Sequence, residues 1–107
     1  MPYIVTTSLY PTDKAMEAVK KYLETLKKYP PDQTLGTEVV PAAVKTTEQG
    51  VKAIRIFEVK EGKLEKALTR TANEMVVFQS VVGFEYSIDV YFTLVEAMAT
   101  VGMSLPG

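Results

Sequence analysis

The sequence contains no cysteine and no histidine. Without cysteine the chain can form no disulfide and offers no thiolate for a zinc site or a covalent intermediate. Without histidine it lacks the usual imidazole base, the Ser–His–Asp arrangement and imidazole metal ligands. We therefore expect no metal site and no cofactor, and any catalysis would have to use carboxylates, tyrosines or an arginine.

Long apolar runs are also missing. No segment reaches the ~18 apolar residues that a membrane span needs, and the N-terminus lacks the basic and apolar regions of a signal peptide. We expect a cytoplasmic protein without a membrane partner. The six glycines are scattered and form no phosphate-binding loop. Thermolabile residues are few, since the chain has one asparagine and three glutamines, and such a composition is typical of a thermophile protein.

Charge gives no general attraction for nucleic acid, because 12 basic side chains face 13 acidic ones. The lysines of the first predicted helix alternate with acids at the spacing of exposed helical ion pairs, which favours a solvated face over a nucleic-acid surface. The charge is unevenly spread: residues 71–107 contain four acids and no base. These carboxylates must meet cations elsewhere in the fold, in a partner or in water.

The 107 residues fit one domain. Apolar periodicity and breakers predict strands over 3–9, 37–47, 51–60 and 84–92. They predict helices within 11–31 and 63–82, the first with an apolar stripe whose members are Ala15, Met16, Val19, Tyr22, Leu23 and Leu26. Pro41 cannot donate to a β-ladder, so the second strand should lie at a sheet edge with a bulge.

The resulting order, β-α-β-β-α-β, is the split motif of the ferredoxin-like fold. We predict an α+β domain over residues 1–107, with both helices on one face of an antiparallel sheet. Short, right-handed connections give the strand order 4-1-3-2, which puts the second strand at the edge that Pro41 requires.

The C-terminal tail, residues 94–107, is almost entirely apolar. Thr93 and Glu96 have the spacing of a capping box, and Gly102 could close a short helix after them. The alternative is that strand four simply continues. A helix that is apolar nearly all round needs burial on several sides, on its own domain or on another subunit.

The chain resembles the small ferredoxin-like proteins that dimerise into an α+β barrel, archaeal-type members in particular. The resemblance covers nearly the whole length and depends on "PYIVTTSLY", "TTEQGVKAIRIFEVKEG" and "VVGFEYSIDVYF". It implies a homodimer or larger homo-oligomer that binds, senses or processes a small, often aromatic or hydrophobic molecule. The enzymes of that group often use a histidine, which this chain lacks.

Strand three can bury either face, because both of its alternating sets contain apolar residues. We expect Ile54 and Ile56 to meet the helices with the apolar side of strand four. Arg55 and Phe57 would then lie on the other face of the sheet, which carries no helix and is called the open face. Such an exposed apolar patch is rare in a monomer and predicts a homo-oligomer.

Arg55 is the unusual residue, a guanidinium in the middle of a strand. It could pair with Asp89 or Glu85, pair across a dimer axis, or grip an anionic ligand with its planar fork of donors. If there is a ligand site, we expect it on the open face. Its candidate residues are Arg55, Thr6, Ser87, Asp89 and Tyr91.

Three functional classes stay open. We favour a homo-oligomeric module that binds or senses a small molecule, because it needs the fewest special residues. The alternatives are a cofactor-independent enzyme acting on a small substrate and an assembly protein without a ligand. The sequence names neither the ligand nor the number of subunits beyond two.

Overall fold

The computed structural model describes residues 1–106, which form a four-stranded antiparallel sheet with two main helices. In chain order the elements are β1 (Tyr3–Tyr10), α1 (Ala15–Lys28), β2 (Gly36–Thr47), β3 (Gly50–Val59), α2 (Leu64–Val76), β4 (Glu85–Tyr91) and α3 (Leu94–Ala99). A 3-10 turn, Thr12–Lys14, precedes α1, and another, Val77–Ser80, follows α2. The predicted α+β class is confirmed.

The strands are ordered β2-β3-β1-β4, which reads β4-β1-β3-β2 from the other edge. The second strand lies at an edge, as Pro41 required. Its pairing with β3 shifts register between Glu38 and Val40 and again between Val40 and Ala43. The missing N–H of Pro41 explains why the ladder is interrupted at this point.

Both helices pack on the face of the sheet that carries Ile4 and Tyr10. One buried cluster joins Ile4 to Ala67 of α2, and another joins Tyr10 to Ala18 of α1. Ile88 packs against the first cluster, so the predicted orientation of strand four is confirmed.

The predicted orientation of strand three is wrong. Arg55 is paired with Thr6, whose side chain is buried on the helix side, so Arg55 lies under the helices and Ile54 and Ile56 do not. The alternation of side chains along strand three could not decide between the two faces, since both sets contain apolar residues. The deciding contact is between Arg55 and Glu74 of α2.

We call the other side of the sheet the open face. By the registers it consists of Tyr3, Val5, Thr7 and Leu9 on β1, Lys52, Ile54, Ile56 and Glu58 on β3, Thr37, Val40, Ala43 and Lys45 on β2, and Glu85, Ser87, Asp89 and Tyr91 on β4. Its two central strands are mainly apolar, and most of its charges lie toward the edges.

Helix α1 is rotated relative to its predicted stripe. Its buried residues are Ala18 and Thr25, and the Thr25 hydroxyl donates to the carbonyl of Tyr22 at 2.6 Å. The larger members Met16, Val19 and Leu23 stay exposed. Small side chains thus face the sheet, with Ala15 and Tyr22 half-buried beside them, while the four other members of the stripe are exposed.

The tail forms the predicted helix. Thr93 and Glu96 make both bonds of the capping box, and the Met103 N–H donates to the Met98 carbonyl at 2.9 Å, with Gly102 at φ +73° closing the helix. The burial expected for the tail is absent in the single chain, where Val101 is 70% exposed. Within residues 1–106 no helix has the length and apolar character to cross a bilayer.

Candidate functional site

A buried charge network lies where β2, β3 and α2 meet. Arg55 Nε donates to Glu38 Oε1 at 2.8 Å, and the other guanidinium nitrogens donate to Glu38 and Glu74. Glu74 is only 6% exposed. A second arginine, Arg70, donates to Glu74 Oε1 at 3.2 Å, so both oxygens of this buried carboxylate accept from arginines.

The network keeps Arg55 charged although its side chain is only 28% exposed. Desolvation lowers the pKa of Arg55, but hydrogen bonds and attraction from Glu38 and Glu74 outweigh it and raise the pKa above its usual value. Each partner here depends on the other, because an unpaired buried charge carries a desolvation cost of several kcal/mol. Within residues 1–106, Glu38 Oε2 is buried and has no hydrogen-bond partner.

Arg70 extends the network to the loop before β2. It donates to the Pro30 carbonyl and lies 3.8 Å from Asp32 Oδ2. Asp32 itself accepts from the hydroxyl and the backbone N–H of Thr34. These hydrogen bonds, more than the nearby cations, lower the pKa of Asp32.

Two cavities meet at Arg55 and Glu74. The inner cavity, about 290 Å³, lies between the sheet and the two helices. Thr6 and Ser8 contribute to its floor, and Ala18 and Met75 contribute to its helical walls. The outer cavity, about 520 Å³, opens toward the loop before β2 and includes Tyr29, Asp32, Lys60 and Arg70 in its lining.

Three aromatic rings form one wall of the inner cavity. Phe84 stacks on Tyr10 with ring centres 5.5 Å apart, and on Phe78 with centres 4.7 Å apart. Burial raises the pKa of the Tyr10 phenol further above neutral pH, so this ring adds no charge to the wall. The inner cavity therefore combines an apolar aromatic wall with one charged end.

The five predicted site residues are not brought together. Arg55 and Thr6 are direct neighbours across β3 and β1, and both line the inner cavity. Ser87, Asp89 and Tyr91 lie on the open face, on the far side of the sheet from Arg55. The predicted pairing of Arg55 with Asp89 or Glu85 is wrong for the same reason.

Glu38 and Glu74, the partners of Arg55, were not predicted from the sequence. A signal for Glu74 was present, since it lies seven residues after Ala67 and one before Met75, on the buried face of α2. An acid in an apolar helix stripe and a base in an apolar strand predict one another. The three-ring wall left no comparable signal, because its members come from three separate segments.

The described residues contain no group of three side chains able to hold a metal ion. Comparisons of the chain with protein-family models, with curated proteins and with solved structures find no match.

Proposed function

We propose that the protein is a homo-oligomeric module that binds a small molecule in the inner cavity. The observation that carries the proposal is the cavity itself: about 290 Å³, lined by the stacked rings and by apolar side chains, with a charged end at Arg55 and Glu74. Ligand sites are typically apolar pockets in which a few polar groups fix orientation.

The electrostatics favour an uncharged ligand over the anion that Arg55 alone suggests. Glu38 and Glu74 already occupy the guanidinium, so an anion would have to displace a carboxylate and leave it unpaired. A ligand with an apolar body and a hydrogen-bonding end requires no such displacement. Thr6, which lines the floor beside Arg55, offers a hydroxyl for that end.

A cofactor-independent enzyme is the weaker alternative. The groups that line the inner cavity are poor proton acceptors, because both Glu74 oxygens accept from arginines and the pKa of Tyr10 is raised. Glu38, whose Oε2 has no partner within residues 1–106, is not among the lining residues of this cavity. A general base works best with a pKa near the operating pH and an available lone pair. Binding without chemistry is therefore the function that the site supports best.

We infer that the fold is ferredoxin-like and that a second copy covers the open face. The element order β-α-β-β-α-β and the two helices on one face support the first inference. The apolar centre of the open face, with Val5, Ile54 and Ile56 as neighbours, supports the second. Contiguous apolar patches of this kind typically mark interaction sites.

The charges of the open face suit a two-fold axis parallel to the strands. Lys45, Lys52, Leu9 and Glu85 form one row across the sheet, with both lysines on the β2 side and the glutamate on β4. Rotation about such an axis would set Lys45 of one copy against Glu85 of the other, and Lys52 against Leu9. Complementary charges of this kind fix the register of an interface.

The binding proposal is tested by filling the inner cavity. Ala53 is a cavity-lining residue on β3, and Ala53→Phe would place a ring inside the cavity. Ala72→Phe is the matched control, because Ala72 is exposed on α2. We expect native mass spectrometry, or a thermal-shift screen of neutral aromatic compounds, to detect a ligand on the wild type and the control alone. Equal ligand binding by Ala53→Phe would contradict the proposal.

A further inference from the structure

Two apolar surfaces of the described chain lie uncovered at different edges of the domain. The first is the α1 stripe, formed by Met16, Val19, Leu23 and Leu26, all more than 40% exposed. The second is the tail, where Leu94, Val95, Val101, Met103 and Leu105 are all more than half exposed. Each contains at least four exposed apolar side chains.

The amount of exposed surface is that of a subunit. The chain exposes 7201 Å², whereas a folded monomer of 11.8 kDa exposes about 5,900 Å². The radius of gyration is 15.4 Å, against about 13 Å for a compact domain of this length. The excess of about 1,300 Å² exceeds the ~800 Å² that each partner buries in a standard interface.

The α1 stripe borders an opening of the inner cavity. Val19 of α1 and Pro41, Ala42 and Val44 of β2 are among the lining residues. Val44 is 60% exposed, and all three β2 residues are exposed. The cavity thus has walls formed by the sheet, α1 and α2, but it lacks a wall between α1 and the β2 edge.

The tail of the same chain is held away from this opening. It follows β4, which is three strand spacings, roughly 14 Å, from β2. Its helix is tied to the N-terminus by an ion pair of 2.7 Å between the Met1 ammonium and Glu96. In the two-fold arrangement proposed above, however, β4 of one copy would stand opposite β2 of the other.

Charge does not oppose this contact. Helix α1 carries four lysines against two glutamates, and Lys20 and Lys27 are exposed and directly follow Val19 and Leu26 of the stripe. Within residues 94–106 the one charged side chain is Glu96, which is paired with the Met1 ammonium. A tail seated on the stripe would therefore bury apolar side chains and leave the lysines at the rim of the contact.

We propose that the tail of a second copy, residues 94–106, packs on the α1 stripe and the adjoining β2 residues and supplies the missing wall of the inner cavity. The ligand site is then complete only in the oligomer. This inference rests on the proposed function, since it makes ligand retention depend on assembly. The interaction is with a second copy of this chain and buries apolar side chains on both sides.

Cysteine crosslinking tests the contact in the full-length chain, which has no cysteine of its own. One batch carries Val19→Cys and the other carries Val101→Cys; both positions are exposed in the single chain. The batches are unfolded, mixed, refolded and treated with a short bismaleimide. We expect a crosslinked product of twice the 11.8 kDa chain mass. It should form at least ten-fold faster than in a control mixture of Val101→Cys with Glu65→Cys, a substitution at an exposed position on α2.

A chain that carries both Val19→Cys and Val101→Cys shows whether the α1 stripe is covered by the tail of a second copy or by the tail of the same chain. Crosslinks between chains support the proposal, whereas a crosslink confined to one chain would mean that the tail folds back on its own domain and would overturn it. A rate no higher than that of the Glu65→Cys control would overturn it as well. Native mass spectrometry of the uncrosslinked samples reports ligand separately. Intermolecular crosslinks without any retained or added ligand would refute the binding function and leave the tail contact established.

Discussion

Replacing Arg55 by leucine should destabilise the protein strongly. The substitution removes the guanidinium that donates to both Glu38 and Glu74. Glu74 would keep Arg70 as a partner, but Glu38 would lose its donor and its second oxygen already has none. The main cost is therefore a stranded carboxylate at Glu38.

The size of the effect follows from burial. Breaking a buried ion pair by removing one partner costs about 3–5 kcal/mol. The Arg55 and Glu38 side chains are 28% and 29% exposed, so water stabilises the stranded charge in part. We expect the free energy of unfolding to fall by about 3 kcal/mol, the lower end of that range. For a domain of this length such a loss lowers Tm by more than about 10 °C.

Urea unfolding of Arg55→Leu, Glu38→Leu and the double variant measures the interaction free energy between Arg55 and Glu38 directly. In the double variant the stranded carboxylate is gone, so its loss of stability should be well below the sum of the two single losses. Lys66→Leu, at an exposed position on α2, is the control and should change stability by less than about 0.5 kcal/mol. A loss below about 1 kcal/mol for Arg55→Leu, or additive losses in the cycle, would refute the reasoning.

Other expectations concern assembly, the tail and one glycine. Sedimentation should give a species larger than the 11.8 kDa chain, and Ile56→Asp on the open face should return it to a monomer; an unchanged mass would contradict the interface. Thr93→Ala should cost α3 about 1 kcal/mol through its N-cap, seen as faster amide exchange in residues 94–99. The Met1 ammonium, followed by the backbone of Thr93, lowers the pKa of Glu96. The stabilisation of α3 by ionised Glu96 is therefore fully present above the unfolded-state pKa of about 4.3 and is lost as pH falls through the folded-state pKa. Amides of α3 that stay equally protected from exchange between pH 6 and pH 3 would contradict this. Gly36→Ala should lower stability by about 1–3 kcal/mol, because a Cβ would lie 2.0 Å from the Glu58 carbonyl oxygen; an unchanged urea midpoint would rule the clash out.

Local chemistry made the fold class and several details predictable from the sequence. Pro41 marked an edge strand because a residue without an N–H cannot serve a central ladder, and the register shifts occur beside it. Thr93 and Glu96 marked α3 because the capping box is formed within one turn. Each of these signals involves residues close together in the chain.

The site was less predictable because it depends on choices between nearly equal faces. Strand three offered two apolar faces, and the contact that decided between them joins Arg55 to a residue 19 positions later. Helix α1 offered a stripe of large side chains, but the small residues Ala18 and Thr25 pack inward. Such choices are made by tertiary packing, which periodicity in one segment does not encode.

The interrupted edge strand has a consequence for how copies of this protein can associate. A free strand edge normally exposes a regular row of N–H and C=O groups on which further strands can grow into fibrils. The two register shifts of β2, one of which spans Pro41, bend the strand and disturb the regular spacing of that row. A foreign strand would find matching partners over only a few residues at a time. Growth by strand addition is thereby blocked at this edge, so the apolar surfaces can be used for closed contacts with less risk of open-ended polymerisation.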